Sequence, residues 1–200
     1  MATIDDRLHD ISEIRSLMEQ SSKFLSLSGL SGVSAGIIGI VAAVVAQRVL
    51  ATDGISIGGG SHAVFFFIEA LVTLILALGC ALYFSARMAR KKGIPIWTTG
   101  TQSLLMSLFI PLSAGGVYCF ILWHHGLLGQ IAPTMLIFYG LALLNSSKYT
   151  LKEIRYLGLS EIGLGLIAAW WVQYGLFLWG AGFGLLHIAY GIFMYLKYEK

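Results

Sequence analysis

Three ionisable residues stand inside long apolar runs of this 200-residue chain: Glu69, Glu161 and His187. An ionisable side chain near the middle of a bilayer costs about 2.5–3.5 kcal/mol on insertion scales, so it needs a partner or a use. Chain geometry ties two of the three together. A tight turn near Gln173, Tyr174 and Gly175 separates their runs, with Glu161 thirteen residues before Tyr174 and His187 thirteen after it. In an antiparallel helical hairpin, positions equidistant from the turn are level. Glu161 shares a helix face with Gly158, Gly165 and Ala168, and His187 shares one with Gly180, Gly184 and Gly191. Helices in lipid approach most closely over such small-residue faces. The two side chains are therefore expected to meet. A carboxyl beside an imidazole in an apolar setting can relay a proton or cation, or anchor a polar ligand. It can equally be a hydrogen bond that locks the hairpin.

Glu69 belongs to a different pattern. His62, Glu69, Thr73, Leu76, Cys80, Tyr83 and Arg87 recur at helical spacing on one face, opposite Phe, Leu, Val and Ile. A lengthwise polar stripe suits the lining of a cavity or pathway. Ser103, Ser107 and Tyr139 are expected to face the same interior. In the competing view, Thr and Cys bond back to their own helix and Glu69 meets one neighbour, such as Gln130, Tyr118 or Arg48. The candidate ligand- or ion-binding residues are thus Glu69, Thr73, Tyr83, Ser107, Tyr139, Glu161 and His187.

Other chemistry is not indicated. His124 and His125 are adjacent and point apart at a helix end, and no carboxylate lies within sequence reach, so no metal is expected. No second histidine lies at the depth of His187, which argues against haem. HExxH, CxxC, Walker and nucleophile-elbow motifs are lacking, and Ser113 has no Gly-x-Ser context. Neither an enzyme nor a cofactor is expected. The Gly58-Gly59-Gly60 run follows no strand and reads as a flexible spacer.

The elements that must position these residues are helices. Mean hydropathy is +0.80. Hydrophobic residues make up 57% of the chain and charged ones 12%, whereas a soluble domain is about 45–50% apolar and about 25% charged. Apolar runs at 27–47, 62–86, 100–123, 127–146, 156–173 and 175–196 are each long enough to span a bilayer. With residue 1 inside, twelve of the 13 Lys and Arg residues fall on the inner side, leaving only Arg48 outside. Basic residues near span ends resist translocation, so every inner loop agrees on the orientation. The expected fold is all-α: six transmembrane helices arranged as three hairpins over 27–200, both termini cytosolic, preceded by a cytosolic amphipathic helix within 1–26. The formal charge of +3 is spread over the inner loops and gives no nucleic-acid footprint. Cys80 and Cys119 differ in depth by roughly 15 Å at 1.5 Å per residue, too far for a disulfide.

Residues 3–25 carry five acids and three bases. A helix that lies on an anionic bilayer is usually rich in Lys and Arg. This one is expected to pack on protein: its own bundle, a second copy or a cytosolic partner. The long acidic opening is unlike a cleaved signal peptide.

The stretch Ser21 to Gly32, SSKFLSLSGLSG, resembles the opening of a group of small, uncharacterised bacterial integral membrane proteins, most clearly over residues 13–40. The resemblance implies a bacterial inner-membrane location and brings no catalytic residues. A second likeness is internal. Gly29 to Ile38 reads GLSGVSAGII and Gly158 to Ile167 reads GLSEIGLGLI, with a weaker echo at Leu112-Ser-Ala-Gly beside Val33-Ser-Ala-Gly. Pro111, mid-span, removes one backbone donor and should leave the Ser107 carbonyl unpaired and the helix kinked. The favoured function is binding or transport of a small solute or ion through a polar interior. The alternative is a membrane-embedded regulatory or scaffold protein whose N-terminal helix engages a cytosolic partner or a second copy.

Overall fold

The computed structural model describes residues 27–52, 60–93 and 95–200. The amphipathic helix expected over 3–25 and most of the Gly58–Gly60 spacer lie outside the described residues. Within them every regular element is helical: α1 (Gly29–Thr52), α2 (Gly60–Lys91), α3 (Thr99–His124), α4 (Ile131–Ser146), α5 (Ile154–Trp170), α6 (Gly175–Gly180) and α7 (His187–Tyr198). A π-helical segment, Ala181–Leu186, joins α6 to α7 into one sixth rod. Five rods are long and apolar enough to cross a membrane, the fourth counted with its flanking 3-10 turns as Leu128–Tyr149. The other, α5, has 17 residues, at the lower edge of the spanning range of about 17–25.

Local chemistry sets the breaks. Gly93 and Gly126 take positive φ, at 65° and 72°, just past α2 and α3, a conformation that costs glycine little. Pro95 bars resumption of the helix. Thr98 then starts α3 with a reciprocal cap: Thr101 N–H donates to Thr98 Oγ1 at 3.2 Å, and Thr98 N–H donates to Thr101 Oγ1 at 3.4 Å.

Packing follows two glycine seams. α1 lies along α7 and the π segment, and α4 lies along α5. A Cβ on Gly158 would sit 2.8 Å from Gly140 O and 2.9 Å from Leu144 N, and one on Gly165 would sit 2.9 Å from Ile137 N. The other seam repeats this register. Gly29 abuts Gly191 O and Tyr195 N, and Gly36 would place a Cβ 2.9 Å from Ile188 N. So Gly29 and Gly36 play the parts of Gly158 and Gly165, while Ile188, Gly191 and Tyr195 play those of Ile137, Gly140 and Leu144. The internal likeness read from sequence coincides with one helix-pair geometry built twice. Lipid tails give helices no hydrophobic reason to associate, so contact over Cβ-free backbone must hold them. The echo in α3 differs: Gly115 faces the Phe138 ring of α4, not a backbone.

α3 packs on α4, and α2 packs on α1. α2 is otherwise bare, with Leu71, Leu74, Ile75, Leu78 and Leu82 all exposed. Phe67 stacks on Trp123 with ring centroids 6.3 Å apart, joining the ends of α2 and α3 distant from Arg90 and Thr99.

Inside α3, Pro111 has the predicted effect on Ser107, and the chain supplies a substitute donor. Asn145 Nδ2 of α4 donates to Ser107 O at 3.0 Å. This ties the proline site to the neighbouring helix, a role the sequence reading did not give to Asn145.

Two predictions follow from this packing. Gly158→Ala and Gly140→Ala should each destabilise the bundle by about 1–3 kcal/mol through overpacking. Gly163→Ala meets no atom within 4 Å and should be neutral or stabilising. Reversible unfolding in mixed micelles separates these outcomes. Asn145→Ala should cost about 1 kcal/mol by leaving the part-buried Ser107 carbonyl without its donor. The cost should largely vanish in a Pro111→Ala background, where the restored backbone N–H reaches Ser107 O; equal losses in both backgrounds would refute the substitute-donor role.

Candidate functional site

The polar centre forms where α4, α5 and the π segment converge. Glu161 is fully buried (0% exposed) and His187 nearly so (6%). Their atoms His187 Nδ1 and Glu161 Oε1 are 3.4 Å apart, so the equidistance from Tyr174 did place them level. The buried face of α5 comprises Ile154, Leu157, Gly158, Glu161, Gly165 and Ala168, including the small residues expected beside Glu161.

His187 is held at both ring nitrogens. Nδ1 lies 2.9 Å from Gly182 O and Nε2 lies 2.8 Å from the Tyr139 hydroxyl. A carbonyl only accepts, so Nδ1 carries the proton and donates to Gly182 O; Nε2 then accepts from Tyr139 O–H. Hydrogen bonding thus runs from Tyr139 through His187 to Gly182 O, with Glu161 Oε1 beside Nδ1 but not hydrogen-bonded to it. Phe183 walls this run, with its ring 4.8 Å from Tyr139 and 5.9 Å from His187, and Trp179 stacks behind at 5.0 Å.

Gly182 makes the seat for the carboxyl. A Cβ there would collide with Glu161 Oε2 and lie 2.6 Å from Leu136 Cδ2. Neither carboxyl oxygen has a hydrogen-bond partner among the described residues. Buried polar atoms are rarely left unpaired, and π segments gather at functional sites. In register terms, Glu161 stands at the α5 position that Gly32 holds in α1. The space a glycine would leave in one helix is instead cleared by Gly182 in the opposite one.

The other candidates fall elsewhere. Tyr139 does not join Glu69 but partners His187. The mirror rule that served for Tyr174 finds it as well, because Tyr139 and Glu161 are each eleven residues from Thr150. Gly182, Phe183 and the π segment had no such signal. Glu69 is half-buried with Oε1 unpartnered among the described residues. It lies on the less exposed α2 face, which includes Phe66, Glu69, Thr73, Ala77, Cys80, Ala81, Phe84, Ser85, Met88 and Ala89. Thr73 lies on that face and Tyr83 does not: Tyr83 is 65% exposed and Leu76 52%. The expected stripe therefore splits. The true contact line repeats every eleven residues, as in Phe66, Ala77 and Met88, or about 3.67 per turn, and it drifts away from Tyr83 and Arg87. Ser107 contributes its carbonyl to Asn145 and is not part of the Glu161 centre. The His62 side chain lies outside the described residues.

A second polar cluster closes the end where α1 and α5 begin and α7 ends. Glu199 Oε1 accepts from Gly29 N–H, and Glu199 Oε2 accepts from Ser28 Oγ at 3.3 Å. This carboxylate meets the positive end of the α1 dipole. Glu153 Oε1 accepts from Lys197 Nζ and, at 2.7 Å, from the Tyr198 hydroxyl. Burial pushes the Glu153 carboxyl up, but these two hydrogen bonds outweigh it and hold the group below its ordinary value.

Set beside known proteins, the chain matches no family, no curated protein and no solved structure.

The Glu153 cluster gives a pH prediction. A carboxyl that titrates lower when folded stabilises the fold above the ordinary Glu range, about 4.3. That contribution is lost as pH falls through the lowered value. Melting curves should show stability declining on acidification below about pH 4.3, with Glu153→Gln flattening that part of the profile. An identical acid slope in the variant would remove Glu153 as its source.

Proposed function

We propose that this chain is a six-span integral protein of a bacterial inner membrane that binds or moves a small ion or solute, with Tyr139, His187 and Glu161 as its binding centre. One observation carries the reading: a fully buried carboxyl whose two oxygens are unpartnered among the described residues, set against an imidazole and a π-helical turn. A bundle that needed only a lock between α5 and the sixth rod would satisfy both oxygens or use apolar packing. Broken helix geometry beside a buried charged group is also how membrane carriers expose ligands for their cargo.

The membrane setting is supported by the surface. Apolar side chains of α2 and α3 stand exposed over most of their length. Trp170, Trp171 and Tyr174 are exposed at one end of the bundle, and Trp97 and Tyr156 at the other, as interfacial aromatic belts are. α5 crosses as the shortest span. The distribution of Lys and Arg favours an orientation with both termini in the cytosol. The resemblance of residues 13–40 to bacterial membrane proteins favours a bacterial inner membrane.

Reconstituted vesicles test the reading with protons, Na⁺ and K⁺ as probes. Wild-type protein should dissipate an imposed gradient of at least one of them, and Glu161→Gln should slow that flux at least tenfold. Flux equal to wild type in Glu161→Gln would take this carboxyl out of the pathway. A parallel Glu69→Gln measurement reports whether the α2 carboxyl shares it.

A further inference from the structure

The sixth rod carries more polar groups than the binding centre uses. Tyr190 lies one helical turn from His187 toward the Lys197 end, about 4.5 Å along the axis. Its hydroxyl is sealed from the surface and has no hydrogen-bond partner among the described residues. Glu153 Oε2, farther along the same direction, is likewise buried and unpartnered. Two orphaned polar atoms besides the Glu161 carboxyl are more than packing requires.

The intervening space is organised. Tyr139 and Tyr190 both pack against the cluster of Leu143, Ile154 and Leu157. Along α5, Glu153 and Glu161 are eight residues apart, or roughly 12 Å, and Tyr190 falls between their levels. Among the described residues the titratable groups placed along this line are Tyr139 from α4, Glu153 and Glu161 from α5 and its approach, and His187, Tyr190, Lys197 and Tyr198 from the sixth rod; Glu199 caps α1 at the same end, and Lys152 and Arg155 neighbour Glu153 in sequence. α1 brings only Arg48, at its opposite end.

We infer that these groups form a proton entry route from the inner face, running from Glu153 through Tyr190 and Tyr139 to the His187–Glu161 pair. The inference rests on the binding centre proposed above and names its ion as a proton. The transfers balance. Glu153 takes a proton from inner water. A bridging water passes it to the Tyr190 oxygen, and that hydroxyl releases its own proton through a second bridging water to Tyr139. Tyr139 hands its proton to His187 Nε2 across 2.8 Å and takes the one arriving from Tyr190. His187 Nδ1 turns its proton from Gly182 O to Glu161 Oε1, 3.4 Å away. Each step makes one O–H or N–H bond and breaks one, and the net change is one proton from inner water resting on Glu161, with His187 left as its Nε2–H tautomer.

Infrared spectroscopy on the full chain in lipid nanodiscs tests this with water and a pH jump as the only probes. The Glu161 carboxyl band is assigned by its loss in Glu161→Gln. In wild type that band should respond to the jump. Tyr190→Phe, which removes only a hydroxyl, should slow the response at least tenfold while leaving its final amplitude unchanged. Glu153→Gln should slow it severalfold, and Ser113→Ala, on the exposed face of α3, should leave it unchanged. Wild-type rates in both Tyr190→Phe and Glu153→Gln would overturn the route, as would a Glu161 band that ignores pH. A change in final amplitude without a change in rate would also overturn it, by making Tyr190 a packing group. Slowed kinetics in a protein without vesicle flux would uphold the route while ending the transport reading.

Discussion

Close approach of helix backbones over glycine is the interaction on which this bundle depends. In lipid, burying a leucine against another helix gains little over burying it against an acyl chain, so the driving force of soluble folding is missing. The two seams replace it with backbone contact too tight for any Cβ, at Gly29, Gly32 and Gly36 against α7 and the π segment, and at Gly140, Gly158 and Gly165 between α4 and α5. Everything polar in the interior is positioned by these two joints. Tyr139 is delivered by one, His187 by the other, and Glu161 sits where they come together.

The repeated register also explains how a carboxyl is accommodated at all. α1 and α5 share a pattern in which the middle glycine of α1 becomes Glu161 in α5. A side chain there would normally force the helices apart. The sixth rod avoids this by placing Gly182 opposite, within a π segment whose Gly182 O also accepts from the His187 ring. The departure from regular helix and the departure from the glycine pattern thus occur at the same point, and each makes room for the other.

Much of this was legible in the residues. Hydropathy marked out the helical rods, and counting outward from Tyr174 found the Glu161–His187 contact. Counting outward from Thr150 would have found Tyr139 as well. Three features lay beyond such counting. The π segment depends on competition between two helix registers that AGFGLL does not announce. The α2 stripe was drawn along a steeper line than the eleven-residue repeat that packs, because Tyr83 and Arg87 are polar but face outward. Asn145 pairs with Ser107 O only because the α3–α4 crossing brings them together, although the unpaired carbonyl itself was evident from Pro111.

The joints of this ring are unequal. α4 meets α5 and α1 meets the sixth rod through interlocked backbone, whereas α2 and α3, consecutive in the chain, touch through the stacked rings of Phe67 and Trp123. Separating two rings costs far less than pulling apart a glycine seam. Thermal breathing should therefore begin along that weak edge, swinging α2 like a gate hinged on α1, while the carboxyl and imidazole behind the strong joints stay put. Amide exchange would register this as early opening in α2 and late opening in α5, an uneven stability profile set by where glycine was placed.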